Sequence, residues 1–289
     1  MVKDYQSLWD LIQKYNLSED IIINDVDAWE KYPVYRKIYN KLDLALEQNI
    51  AAGPIGIIPQ NFPIVIKPII NLFGMSRGFK KINNITEYEE NIKDGYFWMT
   101  YFPGKQYNFD FVILNGNIKT ICAIYSKDNK DGSFNYHQFL QNYKISNKIK
   151  NWIKKNMKNY TGCLNMEVID NNIIEAHLRL NGDFYGYDID FVKELDKLFT
   201  KKEWTLSKSS YPLNPKILFP IFVSKDLNVK KLNFKTIVNL CKSYNIPSLR
   251  IDNIHSEYQQ DNKARLFMFD IDDLDKGKEL KNKILKIIS

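Results

Sequence analysis

Cysteine is scarce, with three in 289 residues (Cys122, Cys163, Cys241), far apart and without a CxxC pair. That argues against a disulfide framework or a structural zinc site and fits a reducing compartment. No apolar run approaches the roughly 20 residues that cross a bilayer. The opening MVKDYQSLWDLIQ is amphipathic but carries acids, unlike a secretion signal. The expectation is a soluble, cytoplasmic protein. GxxxxGK[ST] is missing, which excludes a Walker A loop. FDIDDLD (Phe269 to Asp275) lacks the glycine and terminal glutamate of an EF-hand and reads as a strand end running into a helix N-terminus. No RNP, zinc-finger or helix-turn-helix pattern occurs. The net charge of +7, from 41 Lys+Arg against 34 Asp+Glu, therefore reads as a solvated surface rather than a nucleic-acid footprint. It also suits phosphate-bearing ligands.

What is present is ordinary globular material, 44% hydrophobic and 14% aromatic. The length suits one large domain or two to three lobes. Residues 1–58 read as a helical N-terminal segment, with apolar residues at helical spacing in YQSLWDLIQKY and YRKIYNKLDLALEQ. The Pro/Gly-rich Ala51 to Pro63 reads as a connection. Residues 59–200 mix strands and helices, in lobes of about 59–98 and 99–200. Asn115-Gly116 marks a hairpin turn within them. A polar stretch at 201–215 separates residues 216–289, a small C-terminal α/β module. The whole is expected to be α+β.

The stretch NMEVIDNNIIEAHLR, Asn165 to Arg179, sets two glutamates, a histidine and an arginine among isoleucines and valines. Period-2 alternation places Glu175, His177 and Arg179 on one strand face, and Asn165 and Glu167 on one face of the strand before it. A three-residue turn at Asp170-Asn171-Asn172 would set Glu167 opposite Glu175. Facing like charges repel unless a cation joins them, and carboxylates with substrate phosphates are what Mg²⁺ prefers. A two-residue turn would misalign the pair, and a nearby lysine on solvent-facing glutamates would serve as well.

Lys67 interrupts FPIVIKPII, a strand that reads as buried. It either meets an anion or snorkels to the surface from the strand end. Gly74 and Gly78 bracket Met75-Ser76-Arg77, a segment able to wrap a phosphate with backbone amides or to serve as a mobile turn. His137 and His255 stand apart from other ligand-type residues and read as surface or structural.

In their order, the lysine strand with its glycine loop, the strand ending in Pro-Gly and the paired-glutamate hairpin resemble the ATP-grasp superfamily of carboxylate–amine and carboxylate–thiol ligases. The resemblance covers about residues 38–190. It implies two α+β lobes sandwiching ATP, and a ligase that joins a small-molecule or peptide carboxylate to an amine through an acyl phosphate. Lys41, in YNKLDLALEQ, falls at the family's characteristic lysine. Lys67 would contact the phosphates, with Gly74, Ser76 and Gly78 over them. The backbone at Met99, Thr100 and Tyr101 would read the adenine. Glu167 and Glu175, with His177, would hold Mg²⁺ or Mn²⁺. Arg179 would hold the substrate carboxylate or the acyl-phosphate oxygens. A homodimer is compatible with this reading, and so is a divergent member that binds nucleotide or a partner without ligating. The sequence departs from the family pattern in three places. His177 stands for an asparagine, Met99-Thr100 for an acidic pair, and the segment before Lys67 is short for an N-terminal α/β domain.

Overall fold

The computed structural model describes residues 3–4, 7–74, 77–128, 133–182, 187–206, 216–246, 248–251, 259–260 and 263–288. In chain order the first strands are β1 (Lys3–Asp4), β2 (Ala52–Pro54), β3 (Ile64–Pro68), β4 (Lys80–Ile82) and β5 (Tyr96–Thr100). The central ones are β6 (Gln106–Leu114), β7 (Asn117–Asp128), β8 (Phe134–Leu140), β9 (Gly162–Ile169) and β10 (Asn172–His177). The last are β11 (Ile217–Ser224), β12 (Ser248–Ile251), β13 (Gln259–Gln260) and β14 (Lys263–Ile271). The helices are α1 (Leu8–Lys14), α2 (Asp25–Lys31), α3 (Lys41–Leu46), α4 (Ile85–Glu89), α5 (Asn147–Asn156), α6 (Ile189–Lys201), α7 (Phe234–Ser243) and α8 (Leu274–Ile288).

Two sheets organise the chain, an α+β architecture. The small one runs β2-β5-β3-β4 and is antiparallel throughout. Its edge strand β2 comes from the Pro/Gly-rich stretch expected to be a connection only. Ala52 and Gly53 pair with Met99 and Trp98, and Gly53 lets the Trp98 indole lie flat against the backbone. The large sheet runs β1-β12-β14-β11-β8-β7-β6-β9-β10, with β13 on β14. Its β6–β7 hairpin turns at Asn115-Gly116, both in the left-handed region (φ 50° and 75°), as a tight turn between right-twisted strands requires.

The C-terminal strands do not make a sheet of their own. β11 pairs with β8, Leu218 opposite His137, and extends the central sheet. The module keeps a separate core, in which Ile237, Cys241, Leu280 and Ile284 from α7 and α8 pack on Phe219, Phe267 and Phe269. The acids after β14 act as expected at a helix start: Asp273 Oδ1 accepts from the amides of Asp275 and Lys276, each at 3.0 Å.

The N-terminal segment is helical but broken, with α1, α2, a 3-10 turn at Pro33–Tyr39 and α3. Asn24 caps α2 and Asn40 caps α3, each accepting from the amide three residues on. These caps fix where Asp25 and Lys41 leave the backbone. Among the described residues no helix is long and apolar enough to cross a membrane.

Candidate functional site

The hairpin β9–β10 brings Glu167 opposite Glu175 and Asn165 opposite His177. The route differs from the three-residue turn expected from sequence. Ile169 pairs with Asn172, so the turn is Asp170-Asn171, both left-handed (φ 49° and 62°), where Asp and Asn are tolerated. A two-residue turn alone would set Glu167 against Ile174. A bulge between Ile173 and Glu175 inserts one extra residue and restores the facing glutamates.

Glu175 is the hub. Lys41 Nζ lies 2.8 Å from its Oε1 and Lys67 Nζ 3.5 Å, while His177 Nε2 lies 3.5 Å from Oε2. Lys67, buried on β3, also donates to the Ile174 carbonyl at 3.0 Å, pinning the small sheet to the bulge. Glu167 Oε2 accepts from Gln106 Nε2 at 2.8 Å. Glu167, Glu175 and His177 can each offer one ligand atom within 4.8 Å of the others. The two carboxylates have opposite electrostatics. Burial and the neighbouring Glu175 push the Glu167 carboxyl up. Burial also opposes charge on Glu175, but Lys41, Lys67 and His177 together hold it well below the usual carboxylate range. Burial, against the pull of Glu175, lowers the Lys67 ammonium to about 8.

Beneath this cluster lies Asp25, a residue that sequence reasoning missed. Its Oδ2 accepts from Arg179 Nε at 3.0 Å and Nη2 at 2.7 Å, and its Oδ1 accepts from the Tyr39 hydroxyl at 3.0 Å. The same Tyr39 hydroxyl accepts from the Leu178 amide, tying the hairpin's exit to the 3-10 turn. His177 Nδ1 sits 3.2 Å from Asp25 Oδ2, outside hydrogen-bond geometry. Burial disfavours charge on His177, yet Asp25 and Glu175 raise it to about 9. The Arg179 fork, expected to hold a substrate, is engaged instead by Asp25 and, through Nη1, by the Leu180 carbonyl. An acid in a short helix among other acids carries no sequence signal of this role.

Gly74 and Gly78 both adopt positive φ (62° and 72°), and Asn71 Nδ2 donates to the Gly74 carbonyl at 2.9 Å. A side chain at Gly78 would collide with the Tyr96 hydroxyl. Ser76 lies outside the described residues. Met99 is buried in the small-sheet core with Val65 and Phe97. The amides of Thr100 and Tyr101 donate to the carbonyls of Ala51 and Pro63, at 2.9 and 3.2 Å. Just after them, Gly104 packs so closely on the Asp170 carboxylate that any Cβ would collide with it. The loop after β5 and the β9–β10 hairpin are thus in direct contact.

The cluster opens into a cavity of about 380 Å³. Leu72, Phe73 and Gly74 reach it from the loop between β3 and β4, and Glu167, Glu175, His177 and Arg179 line one end. His137, Phe134, Phe222 and Arg265 line the cavity further along the large sheet. His137, expected to be surface or structural, is buried and faces this cavity. His255 lies outside the described residues. Asn108, Asp110, Ser126 and Arg265 were likewise missed, because polar residues alternating with apolar ones read as a solvent face.

No protein-family model and no curated protein sequence matches the chain. Solved structures do. An L-amino acid ligase from Bacillus licheniformis aligns with a TM-score of 0.57 at 12% identity, over 87% of this chain and 71% of that one. Carboxyaminoimidazole ribonucleotide synthase from Aspergillus clavatus, complexed with ATP, aligns at 0.60 and 11%, over 90% and 74%. A biotin carboxylase–ATP analogue complex from Campylobacter jejuni aligns at 0.51 and 13%, over 90% and 75%. The chain shares its fold with these proteins, and that fold is the ATP-grasp fold.

Proposed function

We propose that the chain is an ATP- and Mg²⁺-dependent ligase that joins a carboxylate to an amine through an acyl phosphate. The observation that carries this reading is the facing Glu167–Glu175 pair with two buried lysines on it. Structures of the same fold crystallised with ATP or ADP support it.

Like charges opposite each other on a sheet repel. Without ligand, Lys41 and Lys67 neutralise Glu175. Nucleotide arriving with a cation would give the carboxylates a divalent partner and give the lysines phosphate oxygens. The Glu175 carboxylate and the two ammonium groups then stay paired in both states, as burial demands, and Glu167 gains an opposite charge with the cation. The donor set fits the ion: Glu167 and Glu175 offer the oxygens Mg²⁺ prefers, and the His177 imidazole extends the fit to Mn²⁺. When bound, the cation would neutralise charge on the ATP phosphates. Lys41 and Lys67 hold those phosphates, with Gly74, Ser76 and Gly78 as further phosphate-binding residues. Adenine sits at Met99 to Tyr101. With the Thr100 and Tyr101 amides engaged, backbone carbonyls do the reading there.

In the reaction a substrate carboxylate oxygen attacks the γ-phosphorus and ADP leaves. The amine nitrogen then attacks the acyl carbon, phosphate leaves, and the nitrogen gives up a proton. The protein's part is orientation and charge stabilisation. Arg179 serves as a positioning residue, because its fork fixes Asp25 and through it His177. The acceptor is a small molecule or peptide, and the location cytoplasmic.

A second reading, a nucleotide-binding protein without ligase activity, is favoured by that same engagement of Arg179, which leaves the expected carboxylate anchor committed to Asp25. A screen of carboxylate and amine pools for phosphate release from ATP separates the two. Release that needs one carboxylate with one amine, and is lost in Glu175→Gln, supports the ligase. Mg²⁺·ATP binding with no release in any pool supports the second reading.

A further inference from the structure

The facing of Glu167 and Glu175 depends on the bulge in β10, and β10 ends the large sheet. A strand at the end of a sheet leaves one side of its backbone without a strand partner. Ile173 is buried, so its amide and carbonyl need partners from the protein itself.

Gln48, the second residue past α3, supplies both. Its Oε1 accepts from the Ile173 amide at 2.9 Å, and its Nε2 donates to the Ile173 carbonyl at 2.7 Å. One side-chain amide thereby pairs with Ile173 as a residue of a further strand would. Nε2 also donates to the Leu44 carbonyl at 2.9 Å, in the last turn of α3, where carbonyls lack helical partners. Both Nε2 hydrogens are used, and the reverse orientation of the amide would set N–H against N–H. The backbone holds Gln48 in turn. Its amide donates to the Ala45 carbonyl at 3.1 Å, and Asn49 follows in the left-handed region (φ 59°).

On the other side of the bulge, Lys67 takes the Ile174 carbonyl and Lys41, the first residue of α3, takes the Glu175 carboxylate. The proposed nucleotide state turns both lysines toward phosphate oxygens. Gln48 is uncharged, and its hydrogen bonds run to backbone groups. It has no reason to change partners when phosphate arrives.

Resting on the ligase reading, we infer that Gln48 is a positioning residue for the paired glutamates. By pairing with Ile173 it keeps the bulge in β10, and with it Glu175 opposite Glu167, while the lysines exchange partners. A regular two-residue hairpin would set Glu167 against Ile174 instead, and the two carboxylates would no longer converge on a cation.

Gln48→Leu tests this by removing the bonds to Ile173 at nearly constant volume. The affinity for a non-hydrolysable ATP analogue is measured by calorimetry with and without Mg²⁺, and hydrogen exchange is followed across residues 172–177. Wild type should bind at least about tenfold tighter with the cation, and Gln48→Leu should lose most of that gain while cation-free affinity stays within about twofold. Exchange across the hairpin should rise at least about tenfold, with α6 unchanged. Gln48→Glu keeps the shape but sets an acceptor oxygen on the Ile173 carbonyl. It should lose the cation gain as well, and decides the matter if Gln48→Leu fails to fold. A gain kept in these variants overturns the inference. So does an equal fall in both affinities, which is what a residue that only supports the fold would give. No cation gain in wild type counts against the ligase reading, and hairpin exchange then decides Gln48: faster exchange in the variants upholds its hold on the bulge, and unchanged exchange overturns it.

Discussion

Glu175 stands directly across the β9–β10 pair from Glu167, yet Lys41 and Lys67 both lie on Glu175 and neither ion pair is to Glu167. The two carboxylates therefore differ in what they contribute to stability. Charge on Glu175 balances two buried ammonium groups, and its removal strands them. Charge on Glu167 faces another acid.

Glu175→Gln should destabilise the unliganded protein by about 3 kcal/mol, the usual cost of breaking a buried pair from one side. Glu167→Gln should leave stability unchanged or raise it, because the folded state already favours the protonated carboxyl there. Urea unfolding of the two variants checks the order. Both substitutions should lower ATP turnover by orders of magnitude.

Asp25→Asn should cost about 3 kcal/mol or more at neutral pH, since Arg179 and His177 would lose their shared partner. Burial raises the Asp25 carboxyl, but Arg179 and His177 outweigh it and hold it well below the usual range. A depressed carboxyl stabilises the fold above its unfolded pKa of about 4, and that stability is lost as pH falls further. The gap between wild type and Asp25→Asn should therefore be wide at pH 7 and close on the acid side. Thermal melts at stepped pH measure it.

How much of this was legible in the chain depends on range. The facing glutamates could be read from alternation and an Asx-rich turn, both local signals. The bulge at Ile174 could not, because it arises where Lys67 from another sheet bonds the Ile174 carbonyl. The α+β class and the helical character of the N-terminal segment were equally local. Asp25 acquires its setting from Arg179, 154 residues away, and His137 and Arg265 acquire theirs from the neighbouring strands β7, β11 and β14 of the large sheet. In β6 the alternation NFDFVIL was visible, but a polar face looks the same whether it meets solvent or an internal cavity.

Gly104→Ala should disturb the contact of the β5–β6 loop with the β9–β10 hairpin, because the added methyl would collide with the Asp170 carboxylate. The expected result is weaker nucleotide binding with near-normal secondary structure. Adding Asp170→Gly removes the obstructing side chain at a left-handed position that glycine accepts, and should restore binding. Nucleotide titrations of the single and double variants check the pair.

All three cysteines are free and buried. Burial pushes the Cys122 and Cys163 thiols well up, and Cys241 to about 11. A disulfide exchange reagent at pH 8 should find essentially no reactive thiol in the native protein and three after denaturation. A fast-reacting thiol in the native state would contradict the packing around these residues.

The most direct measurement is the affinity for a non-hydrolysable ATP analogue, with and without Mg²⁺, in wild type and in Glu167→Gln. Glu167 takes part in the candidate metal cluster without carrying either lysine, so its substitution separates metal binding from folding. Wild type should bind at least about tenfold tighter with the cation, a gain of about 1.4 kcal/mol, and Glu167→Gln should lose that gain. Equal affinity with and without Mg²⁺, or a gain that survives Glu167→Gln, would contradict a cation held between the two glutamates.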